Sequence, residues 1–424
     1  QTSRGKSTSV MSLLMPMVRV FARMKPDEKV AVIRLLQERG WIVGMAGDGG
    51  NDCGALRAAH IGVALTDAEA SLVSPFSTAR PSLFTVGEVL KSGRSCLTTN
   101  VATTMWFVVY GLIFTFTKLF VEAARDLTTI GEWTYLFHMV FMSLIFANLM
   151  VLGKPLKTLS PVRPTFRLFG WRSCANMAIA IVFYFIIFFA GLGVLWGYDW
   201  YSLGNLVDIG MPTYRWTLRA HNFDASASAL LSTAHLAATG FMFSLGSQHR
   251  QPVFKNWPFM LAFVLALTWV FTMLWSNATQ FSCVFAINCD AETMMTTSLP
   301  FFKEFSTGSV GGCFYGPQLV KDMHAIGKGN FVFPNNDPAF GPVNDCQFDT
   351  RIVDGVVPPG VENLAFEVFD VGGGNTCTGP NNCFRESYKI YLTILMIVGL
   401  SLMVVTYWVA SRLTPGVKTH FGRH

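Results

Sequence analysis

The densest chemistry in this chain sits in six consecutive residues, Gly47-Asp48-Gly49-Gly50-Asn51-Asp52. The glycines let the backbone turn sharply and approach a ligand closely. Asp48 and Asp52 place two carboxylates after a predicted strand, at the edge where open α/β sheets bind ligands. A carboxylate beside a phosphate is a normal way to hold Mg²⁺. Asn51 offers a hydrogen bond to a phosphoryl oxygen. Read without its surroundings, the same string also suits an Asx-rich turn that caps the next helix.

The surrounding pattern, residues 1–81, reads as soluble α/β. Val18 to Ala22 is a predicted strand. Pro26 opens a helix with Asp27 and Glu28 in its first turn, where acids complement the helix dipole. Val30, Ile33 and Leu36 recur at helical spacing, and Gly40 is a natural stop. Trp41 to Ala46 is a short apolar strand, Cys53 to Ala59 a short helix, and Ile61 to Leu65 another strand. That order implies a parallel sheet.

The remainder is too apolar for a soluble domain. Of the 424 residues 51% are hydrophobic and only 14% charged, against about 25% charged in a typical soluble chain. The mean hydropathy is +0.40. The net charge of +6 does not indicate nucleic acid, because the basic residues stand in short stretches beside apolar runs. Six segments approach the roughly 20 residues a spanning helix needs. They lie at 101–121, 133–152, 176–196, 229–246, 258–275 and 390–410, with 82–100 as a stalk helix before the first. The fourth is the weakest, carrying Ser232, Thr233, His235 and Thr239.

Loop charge orients the bundle. Residues 154–172 hold Lys154, Lys157, Arg163, Arg167 and Arg172 and no acid. Arg250 and Lys255 lie in the loop 248–256, and Arg412, Lys418 and Arg423 in the tail. By the positive-inside rule these stretches and the α/β domain are cytoplasmic. The stretch 278–385 then falls on the opposite, lumenal side. It holds Cys283, Cys289, Cys313, Cys346, Cys377 and Cys383, a disulfide pattern for an oxidising compartment. Asn277-Ala278-Thr279 is a glycosylation sequon at its start. Residues 386–424 complete the chain as the last span and its tail.

Polar groups inside spans are functional candidates by default. The first two segments offer Tyr110, Thr117, His138 and Asn148. Lys118, near the outer end, can snorkel to the interface. Carboxylates are scarce, with Glu122 and Glu132 at the outer boundary, so the lining is poor for a hard cation such as Ca²⁺.

Phe21-Ala22-Arg23-Met24-Lys25-Pro26-Asp27-Glu28-Lys29, followed by Gly47-Asp48-Gly49-Gly50-Asn51-Asp52-Cys53-Gly54-Ala55-Leu56, resembles the last part of the P-type ATPase phosphorylation domain, a haloacid-dehalogenase-like fold. Cys53-Gly54-Ala55-Leu56, then Ala68-Glu69-Ala70-Ser71 and Ser74-Pro75-Phe76, look like the B branch of the fifth class, which includes polyamine-transporting pumps of endolysosomes and vacuoles. The resemblance implies roles. Asp48 matches the Mg²⁺ ligand, and Asp52 the second acid, which supports metal and loop. Lys29 matches the lysine that neutralises the transferred phosphoryl group, and Asn51 a residue near the phosphate. Phosphoryl transfer mainly needs such positioning and charge neutralisation.

The implied whole is an ATP-driven, Mg²⁺-dependent pump working through an aspartyl phosphate, moving polyamines or other cations from lumen to cytosol. Its partners are the lipid bilayer, a small cationic substrate and upstream domains of the same pump. No Asp-Lys-Thr-Gly-Thr sequence occurs, so the phosphorylated aspartate is expected before Gln1, and this chain alone should not hydrolyse ATP. An acid expected within the sixth span of the polyamine pumps is replaced here by Phe137-His138-Met139-Val140. Three other readings stand beside this one: a non-catalytic membrane protein descended from such a pump, a metal-cation pump, and a membrane-tethered phosphatase.

Overall fold

The structure is a computed structural model. It describes residues 17–67, 69–80, 82–124, 130–162, 164, 167–201, 222–246, 248–289, 369–370, 376–377 and 383–413. The chain forms two compact units, Gln1–Ser95 with Pro155–Ser160, and Cys96–Lys154 with Pro161–His424.

In the first unit, helix α1 (Pro26–Glu38) starts where the sequence places it. Pro26 occupies the first turn, and the Glu28 carboxylate accepts from the Lys25 backbone N–H at 2.8 Å. Its buried residues are Val32 and Ile33 rather than the full Val30, Ile33, Leu36 row. The chain leaves α1 through Gly40, whose φ of +79° is the left-handed conformation glycine tolerates best.

Three parallel strands follow: β1 (Gly44–Gly47), β2 (Ile61–Ala64) and β3 (Phe76–Ser77), in the order β1-β2-β3. Helix α2 (Cys53–Ala58) crosses between β1 and β2, and α3 (Glu69–Val73) between β2 and β3. Leu56, Ala64 and Ala70 form the small core, with Met45 and Cys53 against it. Gly62 is required at its place in β2, because a Cβ there would stand 2.8 Å from the Leu56 carbonyl oxygen.

Two strand expectations are corrected. Val18 to Ala22 forms no strand, and Val18, Val20 and Phe21 are exposed; their apolar run has no ladder partner among the described residues. The strand expected from Trp41 begins only at Gly44, because the register pairs Gly44 with Ile61, the first residue of β2. Trp41 and Ile42 stay exposed, and the Val43 N–H is taken by the His60 ring at 3.1 Å.

Helix α4 (Phe84–Ala124) is one run of 41 residues. In the first unit, Lys91 Nζ donates to the Lys157 carbonyl at 3.1 Å, and Arg94 donates to that of Ser160. The second unit is helical. Its elements are the rest of α4, α5 (Glu132–Met150), α6 (Trp171–Leu195), α7 (Phe223–Ser244), α8 (Trp257–Trp275), the short α9 (Gln280–Val284) and α10 (Glu386–Leu413). Five of them are long and apolar enough to cross a membrane: α4, α5, α6, α8 and α10.

The fourth expected span falls on α7, which is not one of the five. Every α7 residue but Phe241 is buried, so it packs against protein on all sides. Its neighbours include α6, α8 and α10. Composition explains this placement. Alanines at 225, 227, 229, 234, 237 and 238 and Gly240 keep the helix thin, so neighbouring backbones come close, as in membrane bundles generally.

The tightest point is Gly240, where a Cβ would strike the Phe146 ring and stand 3.1 Å from Trp106 Nε1. Gly111 on α4 has open space instead. Gly240→Val should therefore lower the bundle's thermal midpoint by the equivalent of about 1–3 kcal/mol or more, whereas Gly111→Val should cost little. Equal losses at the two sites, measured in detergent, would show that α7 is not tightly packed.

Helix α5 is π-helical from Phe137 to Phe146 and turns His138, Met142 and Phe146 inward. Such segments are rare and concentrate at functional sites. Two short antiparallel strands, β4 (Phe369–Asp370) and β5 (Thr376–Cys377), pair within the stretch 278–385. Cys313, Cys346 and most of that stretch lie outside the described residues, as do Lys418 and Arg423.

Candidate functional site

β1 delivers Asp48 at its carboxyl end, and a 3₁₀ turn over Gly50–Asp52 carries the chain into α2. The Asp52 N–H closes the turn on the Gly49 carbonyl at 2.9 Å, and the Leu65 N–H donates to the Gly47 carbonyl at 2.8 Å. Gly47 cannot carry a side chain, since a Cβ would stand 2.7 Å from both Cβ and Oδ2 of Asp52. That close approach holds the Asp52 carboxylate against the end of the strand.

Lys29, on the first turns of α1, donates from Nζ to Asp52 Oδ1 at 2.7 Å. The lysine side chain is 31% exposed and the aspartate 12%. Residues 23 apart in sequence thus meet at the loop. Asp48 and Asn51 are exposed, and the Asp48 carboxylate has no partner among the described residues. Asp52, expected beside the metal, spends one oxygen on Lys29, so Asp48 is the carboxylate left open.

Among the described residues no cluster of three or more His, Cys, Asp or Glu could cage a metal. Mg²⁺ needs no such cage, because it is commonly bound by one or two carboxylates, waters and substrate phosphates. An open aspartate at a strand's carboxyl end, beside a lysine–aspartate pair, fits that ion.

The bundle assembles a second set of polar groups. His138 is fully buried on α5, and its Nε2 stands 2.8 Å from Thr233 Oγ1 on α7. The Tyr110 hydroxyl donates to the His138 carbonyl at 3.1 Å, and Thr117 Oγ1 hydrogen-bonds the Tyr184 hydroxyl. Tyr184 in turn packs edge-on to His235 at 5.3 Å. Tyr110 and His138 are therefore brought together with Thr233, and Thr117 with Tyr184 and His235, two buried sets that share helices α4 and α7.

Asn148 is not. It is exposed and donates to the Leu144 carbonyl of its own helix. One turn is enough to carry a residue from the inner to the outer face. Met139, beside His138, also faces outward at 43% exposure. Lys118 pairs with Glu122 at 3.7 Å and lies over the Tyr135 ring. Sequence reading missed Tyr184 and gave no site role to Thr233 or His235. The available signal was the polar content of the 229–246 segment, which in the structure belongs to a helix in the interior of the bundle.

Cys283 and Cys289 form a disulfide, and Cys383 is also disulfide-bonded. Asn277, the sequon residue, directly follows α8 and its neighbouring Ser276, and its carbonyl accepts from Ser282 Oγ at 3.2 Å. Thr279 caps α9 by accepting from the Ser282 N–H. Cys53, Cys96 and Cys174 are free, the last two exposed. Alkylation of the unreduced protein should label Cys96 and Cys174 first, Cys53 more slowly, and Cys283 and Cys289 not at all. Peptide mass spectrometry showing alkylated Cys283 would refute the bridge.

No family model matches the chain. Curated relatives do. Polyamine-transporting ATPase 13A3 of Macaca fascicularis is 30% identical over 279 residues, 61% of this chain and 22% of the relative. Probable cation-transporting ATPase 13A4 of Homo sapiens is 27% identical over 263 residues, 58% of this chain and 22% of the relative. Polyamine-transporting ATPase 13A2 of Homo sapiens is 29% identical over 246 residues, 58% of this chain and 20% of the relative. The chain spans about a fifth of the length of these relatives. Over about 60% of its length, then, the chain is related to the B branch of the fifth class of P-type ATPases.

Proposed function

We propose that this chain supplies the metal-binding loop and part of the membrane pathway of an ATP-driven pump for polyamines or similar organic cations. The observation that carries the reading is the Lys29–Asp52 pair at 2.7 Å beside the open Asp48 carboxylate, all at the carboxyl end of a parallel strand. Mg²⁺, when bound, neutralises charge on the phosphoryl group that ATP transfers to an aspartate. Asp48 holds that ion, and Asp52 fixes Lys29 where its ammonium can meet phosphoryl oxygens. Asn51, exposed on the same turn, donates to the phosphate. Transport then runs from lumen to cytosol in an endolysosomal or vacuolar membrane, with the α/β unit and the tail cytoplasmic.

The buried set around His138 favours an organic cation over a hard metal ion. It provides hydroxyls, an imidazole and aromatic faces, the groups that hold extended cations. No carboxylate is among the site residues Tyr110, Thr117, His138, Tyr184, Thr233 and His235. ATPase activity of a complete pump carrying this chain should therefore rise with spermine and not comparably with Ca²⁺ or Zn²⁺.

The inward position for an added charge is His138, because Met139 points outward. His138→Asp should lower the spermine concentration for half-maximal activity about tenfold, the worth of one charge-assisted contact. Met139→Asp should leave it unchanged. A pump that ignores polyamines in all three forms would remove the substrate from this reading and leave the phosphate loop standing.

A further inference from the structure

At one end of the helical unit, the segment after α5 and the loop between α7 and α8 enclose a cavity of about 10 Å³. That is the space of a single water-sized atom. Lys154, Ser244, Arg250, Gln251, Lys255 and Asn256 are among its lining residues. The walls are fixed, since the Gln251 N–H donates to the Lys154 carbonyl at 2.9 Å and Asn256 Nδ2 to the Leu149 carbonyl at 2.8 Å.

Arg250 is only 6% exposed. One of its amino groups donates to the Phe243 carbonyl in the last turn of α7, and its Nε–H has no partner. Ser244 Oγ, on a residue also 6% exposed, is unpartnered too. Among the described residues no carboxylate pairs with Arg250, Lys154 or Lys255.

A guanidinium stays charged under all ordinary conditions. Burying it without a counter-charge is costly, and one helix-end carbonyl offsets that only in part. Two unpartnered donors, Arg250 Nε–H and Ser244 Oγ–H, thus outnumber the one unpartnered acceptor, Asn256 Oδ1, among the residues that line an atom-sized hole with two lysines beside it. Such a set recognises an anionic oxygen. Phe254 and Trp257, adjoining in sequence and 68% and 71% exposed, add the aromatic character of residues at a membrane–water interface.

We propose that this cavity is an anion site that seats one oxygen of a phosphate group, with Lys154 and Lys255 holding the rest at its mouth. The inference is independent of the pump reading. Neither Asp48 nor the His138 neighbourhood takes part in it. The phosphate can come from an anionic lipid headgroup or from free solution.

The test is the thermal midpoint of the full chain in detergent, titrated separately with phosphatidylglycerol, phosphatidylcholine and inorganic phosphate. Phosphatidylglycerol should raise the midpoint by about 3 °C or more at saturation, and phosphatidylcholine should not. A comparable rise with inorganic phosphate assigns the source to the free anion. Arg250→Lys, which keeps charge but loses the Nε–H, should abolish most of the rise. The surface variant Lys154→Gln/Lys255→Gln, which spares the buried arginine, should do the same with an unchanged midpoint before titration. No rise with either anion, or a full rise retained in that double variant, overturns the proposal.

Discussion

Asp48→Asn, in a complete pump carrying this chain, should reduce phosphoenzyme formed from ATP and Mg²⁺ by about a hundredfold or more. The substitution is isosteric and removes one negative charge. Asp48 is exposed and has no partner among the described residues, so folding stability should stay within about 0.5 kcal/mol. Function bears the cost, because Mg²⁺ loses the one open carboxylate of the loop, and with it the charge that positions the ion against the phosphate. Raising Mg²⁺ should recover part of the signal, since binding is weakened rather than chemistry altered.

Gly47→Ala is the companion variant. Its new methyl overlaps the Asp52 carboxylate, with 2.7 Å to Oδ2, and should displace Asp52 and Lys29 while leaving Asp48 in place. Normal phosphoenzyme in Asp48→Asn at low Mg²⁺ would refute the assignment of the ion to this residue.

The shape of the loop was legible because it is set locally. Gly47, Asp48 and Asp52 are close in sequence, and strand, turn and helix follow from glycine placement and apolar runs. The start of α1 was equally legible, since Pro26, Asp27 and Glu28 satisfy helix-end rules that depend on no distant contact. The Lys29–Asp52 contact was not derivable from local pattern; family resemblance alone set the two residues in one site.

Strand edges failed for a related reason. Trp41 and Ile42 are apolar enough for a strand, but the ladder starts only where β2 supplies a partner. In the bundle, apolar length marked five of the expected helices clearly, and the fourth expected segment only weakly. A helix surrounded by others need not be apolar all round, so α7 can carry Ser232, Thr233 and His235 in its buried faces, and these dilute the apolar run that a lipid-facing span would show. The inward turn of His138, and the outward turn of Met139 and Asn148, depend on the π-helical register of α5. No periodicity assumed for an α-helix supplies that register.

Lys29→Met should be as damaging as Asp48→Asn, but its cause can be separated by a second substitution. Lys29 could matter only as the partner of Asp52. Removing it strands a carboxylate that is 12% exposed, at a stability cost of about 1–3 kcal/mol, between the values for surface and buried pairs. Asp52→Asn in the same molecule removes that stranded charge. If the lysine serves Asp52 alone, Lys29→Met/Asp52→Asn should regain both stability and phosphoenzyme.

If the ammonium meets the phosphoryl group, the double variant should regain stability only. Phosphoenzyme should stay down about a hundredfold, because no group on the loop replaces the lost positive charge in the transfer step. Lys29→Arg should fall between, keeping the charge while changing the reach to Oδ1. A double-mutant cycle in thermal midpoint and in phosphoenzyme level reads the two effects on one set of proteins. The expected result is strong coupling in stability and near-absence of rescue in phosphorylation. Full rescue in both would reduce Lys29 to a structural partner of Asp52 and leave the phosphate to Asn51 and to the Mg²⁺ that Asp48 holds.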